Sequence, residues 1–158
     1  MQKIDTSSDF DEDWGNFKEG FGDVDEKYWL GNEQIHQLTK DGGYKARIEV
    51  NVRDEDDQPV FYWAEYITFI VGNEASNYLL SLDGYSGGSG YILSELNGTQ
   101  FSTKDQNNGQ GPNCALSRGG GFWYADIYCG LCFLTGATSN FYCLNLPISV
   151  SRIWLLCK

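Results

Sequence analysis

The first 113 of the 158 residues contain no cysteine, and the whole chain has three prolines, one methionine and one histidine. Most of the chain must therefore hold itself together by core packing alone. A lone histidine, His36, excludes paired-imidazole metal sites. It lies in a helical stretch with no nucleophile beside it in sequence and reads as an exposed helix residue. No GxSxG elbow, phosphate loop or pair of carboxylates in an apolar setting occurs, so nothing points to an enzyme. Basic residues are scarce as well: 11 Lys and Arg stand against 22 Asp and Glu, a formal net charge of −11. That balance repels a phosphate backbone and an anionic lipid surface alike, which excludes nucleic acid and membrane insertion. Long hydrophobic runs are missing too. The opening MQKIDTSSDF lacks the apolar stretch of a secretory leader, and the most apolar window, Leu144–Cys157, is too short to span a bilayer and carries Arg152.

Glycine and aromatic residues are what the chain has in quantity: 19 glycines, 10 tyrosines, nine phenylalanines and five tryptophans. Glycine supplies turns and close backbone approach, while large rings supply buried area per residue. Many short elements stitched by turns follow from that mixture, within one domain.

Periodicity supports an α+β class built on a twisted antiparallel sheet. DFDEDWGNFKEG (residues 9–20) places Phe10, Trp14 and Phe17 on one helical face, with acidic residues in the first turn and Gly20 to stop it. A second helix fits residues 31–39, where Ile35 and Leu38 share a face. Tyr44–Arg53 alternates as a strand, with Tyr44, Ala46, Ile48, Val50 and Val52 on one side. The acidic run Asp54–Asp57 reads as the solvated tip of a hairpin whose return strand is Phe61–Val71. A further strand is expected at residues 78–82, followed by the glycine-rich turn DGYSGGSG. From Asn97 onward the chain reads as loop-dominated.

All five cysteines, Cys114, Cys129, Cys132, Cys143 and Cys157, fall in the last 45 residues, as in a secreted domain stapled where its core is weak. An odd count leaves one thiol over, and spacing alone does not give the connectivity. Cys129-Gly130-Leu131-Cys132 also has the form of a redox CxxC motif, but no helix-forming run follows it and no second CxxC or histidine pair completes a zinc site. The oxygen-rich stretch Asp105-Gln106-Asn107-Asn108-Gly109 reads either as a polar turn or as a calcium loop with a single carboxylate. Asn97-Gly98-Thr99 is an N-glycosylation sequon in a secreted chain and otherwise a tight turn.

Taken in order, residues 9–39, GGYKARIEV, NYLLSLDGYSG, LNGTQFSTKD and NCALSRGGGFWY resemble the fibrinogen C-terminal domain. The likeness runs from about residue 8 to 136 and implies that fold, with a loop-rich C-terminal subdomain. It also implies an extracellular, secreted recognition module within a larger multimeric protein, with a glycan or a cell-surface or matrix protein as partner. Acetylated-sugar binding of the ficolin and tachylectin kind is one implied function; receptor binding of the angiopoietin or tenascin kind is the other. The resemblance pairs Cys114 with Cys129, allowing a two-residue insertion at ADIY (residues 125–128). It places the ligand near Arg118, Tyr128, Cys129 and Gly130, and calcium near Asp105, Asn107 and Gly109. Two of the family's carboxylate positions read Asn107 and Gly109 here, and the loop is one residue short. The family's opening cysteine and first strand have no counterpart, which predicts a disordered start over residues 1–7 and an unpaired sheet edge. The likeness ends at Gly136, so residues 137–158 are expected to form a divergent tail outside the domain of residues 8–136.

Overall fold

Ten strands and three short helices make up the computed structural model, which describes residues 1–4, 10–88, 93–125, 128–137 and 141–158. Strand β1 is Gln2–Lys3. Helix α1 follows at Trp14–Glu19, then β2 at Phe21–Gly22, β3 at Tyr28–Trp29 and helix α2 at Asn32–Thr39. The long hairpin is β4, Tyr44–Arg53, and β5, Pro59–Val71, beside which runs β6, Leu80–Gly87. The rest comprises β7 at Phe101–Ser102, α3 at Cys114–Arg118, β8 at Phe122–Trp123, β9 at Tyr142–Cys143 and β10 at Leu146–Cys157. The main sheet is antiparallel in the order β2-β3-β1-β10-β4-β5-β6, with β9 against β10, and β7 and β8 form a separate pair.

The last strand overturns the expected domain boundary. β10 lies inside the sheet between β1 and β4, in register from Ile148 opposite Val52 to Cys157 opposite Tyr44. Its Ile148, Ser151 and Ile153 are buried, and the Ser151 hydroxyl donates to the Leu134 carbonyl at 2.8 Å. Residues 146–157 are therefore core structure and not a tail. A register shift between Ile148 and Val150 explains why alternation hides this strand. One extra residue moves every later side chain to the other phase of a period-2 pattern. The chain start is also ordered where it is described. Gln2–Lys3 pairs with β10 and with β3, and Lys3 is buried against the rings of Phe10 and Phe141, so disorder does not hold for residues 1–4. Residues 5–7 of that expectation lie outside the described ones.

The central hairpin follows the predicted pattern. Ala46, Ile48, Val50 and Val52 are all buried, and the Asp54 carboxylate closes the tip by accepting from the Asp56 and Gln58 amides at 3.0 and 2.8 Å. Helix α1 is shorter than expected. Asp13 stands outside it as an N-cap, accepting from the Asn16 amide at 2.9 Å. An acidic run gains more by meeting free amides at a helix start than by lying within a helix. Gly20 ends the helix at φ 99°, where a Cβ would stand 2.6 Å from the Leu30 carbonyl oxygen. β6 is displaced from the expected 78–82 and runs on through Asp83-Gly84-Tyr85-Ser86-Gly87. Gly84, at φ 69°, stands opposite Ile67, and the register is unbroken across it, with Tyr66 facing Tyr85 and Thr68 facing Asp83. The turn-like composition of this segment thus serves a strand in which a glycine lets the backbone pass close to its neighbour.

The rings of Phe17, Trp29, Phe101 and Trp123 meet at centroid distances of 5.0 to 6.0 Å and form the centre of the core. Each buried indole is satisfied: Trp29 donates to the Phe17 carbonyl and to Asn32, and Trp123 donates to the Tyr78 carbonyl at 2.7 Å. Trp123 belongs to β8, so this cluster ties the sheet to the segment that carries the cysteines.

Candidate functional site

The site is assembled from the loops around β7, α3 and β8. Asn113 caps α3, accepting from the Leu116 amide at 2.9 Å while its own amide donates to the Lys104 carbonyl at 3.0 Å. Cys114, the first residue of α3, is buried and joined to Cys129 across a Cα–Cα distance of 5.5 Å. At Cys129 and Gly130 the backbone turns through the left-handed region, with φ of 66° and 92°. A Cβ on Gly130 would come within 2.9 Å of the Glu95 carboxylate, and that carboxylate accepts from the Leu131 amide at 2.6 Å. A disulfide on one side and Glu95 on the other thus hold the wall formed by residues 129–131.

This turn also disposes of the CxxC reading. Cys129 is bonded to Cys114 and Cys132 to Cys143, so the two thiols of the motif are not partners. Cys157, the odd cysteine, is free and exposed. His36 is half-buried, its Nδ1 2.8 Å from the Val71 carbonyl oxygen.

Against the 129–131 wall lies an open groove of about 910 Å³. Glu95, Gln100, Asn108 and Gln110 give it polar groups, and Tyr128 and Leu131 give it exposed apolar surface, 80% and 56% accessible. Glu95 is the single charged group among the described residues that line it. Of the residues expected at a ligand, Tyr128 and Gly130 line the groove, as does Gly109. Cys129 lies behind the wall as its anchor. Arg118 is not part of the lining: its guanidinium stacks over the Phe133 ring at 4.2 Å and its Nε is buried. Tyr124, at the floor, donates to the Gly120 carbonyl, and burial pushes its phenol pKa up. Glu95 and Gln100 are the residues that sequence reasoning missed, and Asn108 was read only as part of a polar turn or calcium loop. Residues 126–127 of the expected insertion lie outside the described residues.

The loop at Asp105 does not fit a calcium ion. Oδ1 of Asp105 accepts from the Trp14 amide at 3.0 Å and from the Thr103 hydroxyl at 2.7 Å, so this carboxylate caps α1 from across the fold. Asn107 spends its side chain on the Gly109 amide and the Gly111 carbonyl, and Gly109 has no side chain to offer. Calcium takes six to eight oxygen ligands, and its affinity rises with the charge that carboxylates supply. Among the described residues, no three carboxylate, imidazole or thiol groups gather where they could share an ion.

The comparisons agree with this architecture. The family model for the C-terminal globular domain of fibrinogen beta and gamma chains matches residues 1–142. The chain is 36% identical to tenascin of Gallus gallus over 129 residues, 81% of this chain and 7% of that protein. It is 40% identical to angiopoietin-4 of Bos taurus over 82% of this chain and 25% of the relative. It is 42% identical to angiopoietin-related protein 7 of Mus musculus over 73% of this chain and 33% of the relative. The fibrinogen-like globe domain of human ANGPTL2 superposes with a TM-score of 0.83 at 28% identity, covering 99% of this chain and 77% of that one. Lamprey fibrin D-dimer superposes at 0.76 and 23% identity, covering 99% and 59%. The chain belongs to the fibrinogen C-terminal domain family, and it spans a third or less of the length of these three sequence relatives. The structural likeness extends over 99% of the chain and so includes β10.

Proposed function

We propose that this chain is a non-enzymatic, extracellular recognition domain that takes a segment of a protein partner into the groove beside Cys129–Leu131. The observation that carries this reading is the groove's charge. Glu95 is its single charged lining residue among those described, with exposed Tyr128 and Leu131 close by. A basic or neutral peptide side chain meets a carboxylate and an aromatic face there, whereas an anionic ligand meets no cation. Family membership alongside angiopoietins and tenascins supports the same reading. An acetylated sugar is the second reading, favoured by the neutral amides of Gln100, Asn108 and Gln110 beside the Tyr128 ring. Parallel binding to a glycan array and to a panel of receptor ectodomains separates the two.

A saturable protein partner that free N-acetylated sugar does not displace is the expected result. Glu95→Gln, which keeps an acceptor for the Leu131 amide, should weaken that partner about tenfold, the worth of one charge-assisted bond of about 1.5 kcal/mol. Array binding that Glu95→Gln leaves untouched would instead establish the sugar reading.

Recognition in this groove is calcium-independent, because the Asp105 loop is closed by its own hydrogen bonds. The thermal unfolding midpoint is expected to be the same in millimolar calcium and in chelator. A specifically bound ion would add about 2.7 kcal/mol at a hundredfold excess over its Kd, and a calcium-dependent midpoint of that size would contradict the proposal.

A further inference from the structure

The sequon Asn97-Gly98-Thr99 is the only Asn-x-Ser/Thr triplet in the chain, and it is held where a modification can be carried without disturbing the fold. Asn97 follows the 3₁₀ turn Ser94–Leu96 and is exposed. Its Oδ1 accepts from the Leu82 amide at 2.8 Å, while its Nδ2 donates to no group among the described residues. The acceptor end of the amide is thus the structural end, and the nitrogen end has no partner among the described residues. The neighbouring backbone is pinned to β6: the Gly98 amide donates to the Leu80 carbonyl, and the Leu80 amide to the Thr99 carbonyl, at 2.8 and 2.9 Å. A Cβ built on Gly98 would meet nothing within 4 Å, so the space above the triplet is open. Gly98 and Thr99 both line the groove.

We infer that Asn97 carries an N-linked glycan when the chain enters the secretory route, and that this glycan stands at the rim of the recognition groove. The inference rests on the extracellular reading for its setting and on the geometry of Asn97 for its site. The donor class is a lipid-pyrophosphate-linked oligosaccharide. Nδ2 of Asn97 bonds to the anomeric carbon of the first sugar, the bond from that carbon to the pyrophosphate breaks with its electron pair leaving on phosphate, and the amide gives up one proton. Glycosylated Asn97 keeps its Oδ1, so the bond from the Leu82 amide survives modification.

The test is translation of the whole chain behind a supplied signal peptide in the presence of microsomes, with translocation read separately by protease protection. The expected result is a single mobility shift that N-glycosidase F reverses. Thr99→Ala and Asn97→Gln should each remove it, and Thr99→Ser should retain it. This readout precedes folding, so a variant that folds poorly still reports. A protected, translocated chain without the shift overturns the inference while leaving the reading of the groove intact. A shift that survives Thr99→Ala overturns it as well.

Discussion

A chain ending at Leu144 is expected not to fold, seen as loss of a cooperative unfolding transition and of near-ultraviolet circular dichroism. Residues 145–158 include all of β10, which pairs with β1 on one side and with β4 on the other. Without it, the whole inner edge of β4 presents unpaired amides and carbonyls, and the sheet splits into two fragments. Ile148 and Ile153 are removed from the core, and each buried aliphatic side chain is worth about 1.5–3 kcal/mol. Leu134 loses its bond from Ser151 as well. Those losses approach the whole of a domain stability of about 5–15 kcal/mol. A milder variant calibrates the claim: Ile148→Ala, at a site only 2% exposed, should cost about 2–5 kcal/mol in a chain that still folds. A truncated chain that unfolds cooperatively would show β10 to be dispensable.

Replacing Cys114 and Cys129 together by alanine is expected to have the second largest effect, and to act on stability and recognition at once. The bridge closes a sequence separation of 15, for which the chain-entropy relation gives about 3 kcal/mol. In a protein of this size that corresponds to a fall in Tm of roughly 6–12 °C. The residues behind the loss are those that build the groove wall. Cys129 and Gly130 are held in left-handed backbone conformations, and without the bridge the Glu95 bond to the Leu131 amide must hold the turn alone. Partner binding should therefore fall away at temperatures where the double variant is still folded. Undiminished binding by the folded double variant would show that Glu95 suffices to hold the wall.

The β4–β5 hairpin was legible because one face of each strand is buried and the other is not, which writes a period of two into the residues. The same logic failed at β10. Its residues are as apolar as those of β4, but the irregularity at Ile148–Val150 breaks the phase, and the segment reads only as an apolar run. The first helix was misjudged for a different reason: Asp11, Glu12 and Asp13 look the same as first-turn residues and as residues before a cap. As positions in the groove lining, Tyr128 and Gly130 were legible through the family resemblance, as was the bridge from Cys114 to Cys129. Glu95 was not, because its role is defined by a contact with the Leu131 amide 36 positions away. Arg118 shows the converse. The resemblance placed it near the ligand, yet the fold turns it onto Phe133.

The placement of β10 within the sheet is tested most directly by native-state hydrogen exchange on its amides. Amides of β10 that pair with β4 between Ser151 and Leu155 are expected to exchange only through global unfolding, with the same protection as the β4 amides they face. Exchange of the Ser151–Leu155 amides at rates near those of an open chain, with β4 still protected, would contradict that placement and return residues 146–157 to the status of a tail.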